Sequence, residues 1–244
     1  MSNNSIFYKL SLNNKILRKF YLFYNIYIRN RKFLKDGSHV GEEKLILNLF
    51  DQNYIGNFVD LGCYHPTRYN NTFQMYKNGW RGINVDLNPL SIELFNFLRP
   101  KDINLNIAIS DKTEETEYYF IDDFNTQNTL DQNHLNFLKD HHNVKDNEIN
   151  KKKIVTEKLE NILIKYKFNR IDFMNIDIEG HELKIIENLD FDKYFIKILC
   201  IEMIDHNEKS KEKNNIMKKI LEKKFKLYKK LYNNYIFINK YEKQ

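Results

Sequence analysis

From residue 57 onward the chain alternates short apolar runs with helical patterns, which restricts it to a mainly parallel sheet built from strand–helix–strand units. The runs at residues 58–61, 82–85, 104–109, 171–176 and 196–201 have strand length and are rich in Phe, Val, Leu and Ile. Pro66 suits the first turn of a helix after the first run, and Gly79 suits its left-handed cap. Pro89 opens a second helix through Leu98, a third spans residues 159–166, and a fourth starts near Glu182. A helix to about Lys223 then precedes apolar stretches at residues 225–232 and 235–239, joined by Asn233 and Asn234. Asparagine tolerates the positive φ of a tight hairpin turn, so an antiparallel hairpin is expected to close the sheet. The expected class is α/β, with helices on both faces of the sheet.

A length of 244 residues fits one domain with a short appendage. Residues 1–37 are assigned to a basic N-terminal helical extension and residues 38–244 to the main domain. Within the extension, Ile16, Phe20, Phe23, Tyr24 and Tyr27 recur at helical spacing among lysines and arginines. This pattern fits a helix packed on the domain, or one that contacts a membrane surface or partner. Ser38 stands as a helix start ahead of Leu45, Ile46, Leu49 and Phe50. Residues 116–156 break the rhythm with the aromatic run 118–120 and a polar stretch containing His134, His141 and His142, to which no role is assigned. An inserted, hairpin-like excursion is expected there, of the kind that can serve as a lid over substrate.

Hydrophobic residues make up 42% of the chain and aromatics 14%, which excludes a disordered chain. No run of about eighteen apolar residues occurs and no secretory signal opens the chain, so a cytoplasmic protein with no transmembrane segment is expected. Cys63 and Cys200 fall in separate apolar runs and are expected as buried free thiols. The net charge of +6 is modest, and without a nucleic-acid-binding motif it does not indicate a nucleic-acid partner.

Ligands of open α/β sheets sit at the carboxyl ends of strands. The first run, Phe58-Val59-Asp60-Leu61-Gly62, ends in a carboxylate and a glycine; the second ends in Asp86, placed to bind ribose hydroxyls. After Gly62 come Cys63, Tyr64, His65 and Pro66 in place of the glycines that admit a pyrophosphate. A dinucleotide is thereby disfavoured, and S-adenosylmethionine, which has no phosphates, fits better; a simple structural turn is the alternative. His65 either positions substrate or caps the following helix. Trp80 and Arg81, beside Gly79 and Gly82, are expected to pack over the sheet end.

A second cluster, Asp177-Ile178-Glu179-Gly180-His181-Glu182, follows the fourth strand. Transfer to a hydroxyl needs a base: His181 is the candidate, with Asp177 or Glu179 orienting it or the substrate. The alternative makes Glu179 and Glu182 partners of a helix dipole and His181 a surface residue. A metal site from Asp177, Glu179, His181 and His65 has no diagnostic spacing, and none is assigned.

The runs 58–66, Asn71-Thr72-Phe73, Tyr76-Lys77, Gly79-Trp80-Arg81-Gly82, Val85-Asp86-Leu87-Asn88-Pro89, 106–111 and 177–182 together resemble the FkbM family of S-adenosylmethionine-dependent methyltransferases. The resemblance spans residues 38–202. It implies a Rossmann-like class I methyltransferase fold and an enzyme acting on hydroxyl oxygens of sugars, glycans or small metabolites. It also implies a cofactor site in which Asp60, Gly62, Cys63, Asp86, Leu87, Ile109, Ser110 and Asp177 take part. Two departures stand out: Cys63 and Tyr64 where members often have Ala-Asn, and Ser38-His39 where they often have Ser-Gln. The competing readings are a noncatalytic binding module on the same fold and a nicotinamide-dependent oxidoreductase.

Overall fold

The computed structural model describes residues 6–35, 37–121, 128–142, 144–205 and 207–241. Ten strands occur among them: β1 (Asn57–Leu61), β2 (Arg81–Asp86), β3 (Ile103–Asn106), β4 (Ala108–Ser110), β5 (Glu115–Phe120), β6 (Asn150–Lys158), β7 (Arg170–Ile176), β8 (Phe195–Glu202), β9 (Phe225–Leu231) and β10 (Asn234–Asn239). The α-helices are α1 (Ile6–Leu12), α2 (Lys15–Phe23), α3 (Glu42–Leu47), α4 (Phe73–Lys77), α5 (Pro89–Leu98), α6 (Gln132–His142), α7 (Leu159–Tyr166), α8 (Glu182–Asn188) and α9 (Glu208–Leu221).

Seven strands form the main sheet in the order β3-β2-β1-β7-β8-β10-β9. All pairs from β3 to β8 are parallel, whereas β10 runs antiparallel to both its neighbours. The closing hairpin therefore inserts its second strand against β8, and β9, at the edge, runs with the parallel set. Side chains alternate between the two faces of each strand. Val59, Leu61, Met174, Ile176, Leu199 and Ile201 pack with α7, α8 and α9, whereas Phe58, Phe173, Ile198 and Ile236 pack with Ile46 of α3, Met75 of α4 and Trp80. Helices thus cover both faces of a mainly parallel sheet, as expected.

Local details differ. The single strand expected at residues 104–109 divides at Ile107: β3 stays in the main sheet, while β4 pairs with β6 in a three-stranded sheet of order β4-β6-β5. This small sheet is the excursion's base. The helix expected from Pro66 shrinks to α4, because residues 65–72 fold instead into a turn pinned by buried side chains: Thr67 and Arg68 backbone N–H groups donate to His65 Nδ1, and Thr72 donates to Asn70 Oδ1. Helix α3 begins after Gly41, which has a φ of 93° and offers no side-chain cap; Ser38 does not cap it. In the closing hairpin Tyr232, not an asparagine, takes the positive φ of 52°.

The extension is helical and packs on the domain through residues other than the stripe singled out by spacing. Helix α2 continues into a π-helix at Tyr24–Arg29, and Tyr21, Leu22 and Ile26 bury against Leu90 and Leu94 of α5. Arg18 clamps the same interface through Glu93 at 2.7 Å. Ile16, Phe20, Phe23, Tyr24 and Tyr27, the stripe singled out by spacing, all face outward.

Candidate active site

A cavity of about 310 Å³ opens at the carboxyl ends of β1, β2, β7 and β8. Gly62, Asp86, Leu87 and Ile109 line it on one side, with Asp177, Glu179 and Glu202 on the other. Gly62 has a φ of +80°, and a Cβ there would lie 1.6 Å from the carbonyl oxygen of Asp177. Only glycine lets the ends of β1 and β7 come this close. At the end of β2, Asp86 accepts the backbone N–H groups of Tyr64 and Asn88, both at 2.7 Å. Burial pushes its pKa up to about 6 against the pull of these two bonds.

The rim carries backbone strain. Tyr64, Tyr69, Glu179 and Tyr232 all line this cavity and all have φ between 51° and 54°. Left-handed backbone in residues with bulky side chains costs on the order of 1 kcal/mol each and concentrates at functional sites.

The far wall of the cavity crowds three carboxylates. One oxygen each of Asp177, Glu179 and Glu202 lie within 4.8 Å of one another, the spacing of a potential cation site. At that spacing ionised carboxylates repel one another, and a shared proton or a bound cation would relieve the repulsion. Burial is the largest cause of the raised proton affinity of all three, and repulsion from neighbouring carboxylates adds to it, led by Glu182 at Asp177 and by Asp177 at Glu179 and Glu202; Asp177 rises to about 7, and Glu179 and Glu202 go well above the usual carboxylate range. The cluster is therefore built to hold protons or a cation.

Beyond it lies a second cavity of about 440 Å³, which shares Glu179 and Glu202 with the first. Asp131, His134, Asn136, Asn207, Ser210 and Lys213 line its polar wall. His134 Nε2 sits 3.3 Å from Glu179 Oε2. The excursion supplies Asp131, His134 and Asn136 of this wall, and α9 with its N-cap supplies the rest; the excursion is tied down at Thr129, whose hydroxyl donates to the Glu179 carbonyl at 2.6 Å, and at Asp131, which pairs with Lys213 of α9 at 2.8 Å. Residues 122–127 and the side chains of His141 and His142 lie outside the described residues.

Several residues singled out by sequence line neither cavity. Asp60 is buried and fully engaged: Asn70, Thr72 and Asn175 donate to it at 3.1, 3.1 and 3.0 Å. Buried Arg99 braces the same network, donating to Asn70, Thr72 and Asp102. Cys63 packs with Ile92 and Phe95, and Ser110 donates to Asp111 at 2.9 Å. His65 is wholly buried; its Nδ1 accepts from Thr67 and Arg68, so its ring proton lies on Nε2, 3.0 Å from Asn25 Oδ1. Burial lowers its pKa to about 3, and it organises the turn in place of meeting substrate. His181 stands buried at the N-cap position of α8 without a side-chain capping bond, and its Nδ1 has no hydrogen-bond partner among the described residues. Burial, followed by Lys184, lowers its pKa to about 4. Glu182, by contrast, lines the second cavity, its carboxylate occupied by the backbone N–H groups of Ile178 and Gly180.

Spacing did not single out Glu202, His134 or Arg99. Glu202 ends a strand, the position already informative at Asp60 and Asp86, and that was the available signal; His134 gave none, because its neighbour Glu179 is distant in sequence.

The sheet order, the glycine at the end of β1 and the carboxylate at the end of β2 define a class: an α/β enzyme whose cofactor site lies at the strand carboxyl ends. The family model described as the Methyltransferase FkbM domain matches residues 54–228, and the chain belongs to that family of methyltransferases. No curated protein and no solved structure matches it.

Proposed function

We propose that this methyltransferase uses S-adenosylmethionine and methylates a hydroxyl of a sugar, glycan or small metabolite. The observation that carries the proposal is the meeting of two cavities at Glu179 and Glu202. The first cavity suits the cofactor: the Gly62 backbone allows close approach, Asp86 offers carboxylate oxygens to ribose hydroxyls, and Leu87, Ile107 and Ile109 give an apolar wall for adenine. The cofactor supplies an electrophilic methyl on a sulfonium. The second cavity takes the acceptor, since its lining of amide, hydroxyl, ammonium and carboxylate groups suits a polyhydroxylated molecule. Glu179, between them, removes the acceptor's proton, and its raised proton affinity makes it a stronger base than an ordinary carboxylate. His134 beside it is the next station for that proton. Asp177 and Glu202 orient the hydroxyl along the line of transfer.

Calorimetric titration with S-adenosylmethionine tests the cofactor assignment. Wild type binds and Asp86→Ala binds at least tenfold more weakly, whereas no heat from wild type refutes the assignment.

A further inference from the structure

The first 35 residues contain eight Lys and Arg and no Asp or Glu, which leaves the remaining 209 residues with 31 basic against 33 acidic side chains. The whole positive excess of the chain is therefore local. Seven of the eight, Lys9, Lys15, Lys19, Arg29, Arg31, Lys32 and Lys35, are exposed; only Arg18 turns inward, to Glu93. On the same surface, Ile16, Phe20, the adjacent Phe23 and Tyr24, and Tyr27 recur every three or four residues along one side of α2 and its π-helical continuation. The opposite side, Tyr21, Leu22 and Ile26, is the one packed on α5. Ile6 and Leu10 of α1 extend the apolar surface, and Ile6, Ile16 and Phe20 are 76%, 68% and 62% exposed. A helix with apolar residues on two opposite sides has one more interface than the domain uses, and a contiguous exposed patch of this kind marks an interaction surface.

The charge decides which partner fits. From this uncovered face and its basic flanks, we infer that α1, α2 and the π-helix form a platform that lies on an anionic lipid bilayer. The aromatic and aliphatic side chains enter the headgroup boundary while the lysines and arginines meet lipid phosphates, the arrangement of an interfacial amphipathic helix. No described helix is long and apolar enough to cross a membrane, so the contact is peripheral. A second copy of the chain is a poorer occupant, because a two-fold contact through this face would bring two strongly basic surfaces together without an acid between them. The platform is rigidly joined to the active site: Asn25 and Asn30 of the π-helix region meet His65, and Phe33 packs edge-on against Tyr69 of the cavity rim at 5.2 Å. Docking therefore sets the cavity mouth at a fixed orientation to the bilayer.

Vesicle co-sedimentation of the full chain provides the test. Wild type is expected to bind phosphatidylcholine vesicles containing phosphatidylserine at least about tenfold more tightly than pure phosphatidylcholine vesicles, with binding weakening as salt rises. The variant Ile16→Glu/Phe20→Glu/Phe23→Glu alters only exposed side chains and should lose binding while keeping its unfolding temperature. Lys15→Glu/Lys19→Glu should lose more than about tenfold in affinity for the anionic vesicles. Absent binding to either vesicle, or equal binding to both, overturns the inference. So does sedimentation of wild type as a dimer that Phe20→Glu converts to a monomer, which would make the face an interface between copies.

Discussion

The two halves of the sheet's carboxyl edge hold their carboxylates in opposite ways. At β1 and β2, Asp60 and Asp86 are held by donors: three side chains and nearby Arg99 for the first, two backbone N–H groups for the second. At β7 and β8, Asp177, Glu179 and Glu202 crowd one another, and proton affinity is raised at all three. A carboxylate held by several donors is fixed in place, which suits recognition; carboxylates that crowd one another take up and release protons together, which suits proton transfer. Under the proposed function, binding falls to one half and chemistry to the other.

The sharpest way to break this division is Glu179→Gln, which keeps shape and removes the base. Methyl transfer is expected to fall about 10²- to 10⁴-fold while the dissociation constant of S-adenosylmethionine changes less than about threefold, read by radiolabel transfer and calorimetry. Comparable losses in both would merge the two halves into one. Next in size is Asp86→Ala, for which a lost charged hydrogen bond predicts about 10- to 100-fold weaker cofactor binding. Because Asp86 titrates near 6, wild-type affinity should also decline as pH falls below that value, and Asp86→Ala should not show the decline.

The chemical half should also reveal itself without any ligand. Asp177 is raised from 3.8 to about 7, so the folded protein binds protons that the unfolded chain has released. Its contribution to stability is full below about pH 4 and is lost as pH rises through 7, by on the order of 4 kcal/mol at most. Thermal unfolding of the ligand-free protein between pH 5 and 8 should show this fall, and Asp177→Asn should flatten it; an unchanged slope would mean that the cluster does not hold extra protons. The smallest effect is expected from His181→Ala. Lining neither cavity, His181 should leave methyl transfer within about threefold of wild type, and a larger loss would return it to the role of base that its position in the sequence suggested.

The sheet was legible because buried parallel strands leave continuous apolar runs, and because Gly62 and Asp86 stand where strands end. Strand ends also pointed to Asp177, and the turn beyond it to Glu179. Asp60, Cys63 and Ser110 lie outside both cavities for one reason: sequence places a residue near a strand end but not on which side it points, and these three turn into packing or a hydrogen-bond network. Helix α2 misled for a related reason. With apolar residues on two sides, periodicity marks both stripes and cannot tell which one the domain covers. The pairing of His134 with Glu179 depends on the excursion folding back across the sheet, which no local pattern encodes.

The four left-handed residues on the cavity rim place heat resistance and activity in competition. Glycine at Glu179 would relieve both a strained backbone and a crowded carboxylate, so a lineage selected for thermal tolerance alone would be drawn first to the position the chemistry needs. Persistence of a charged side chain there in stabilised descendants would itself be a record of selection for turnover.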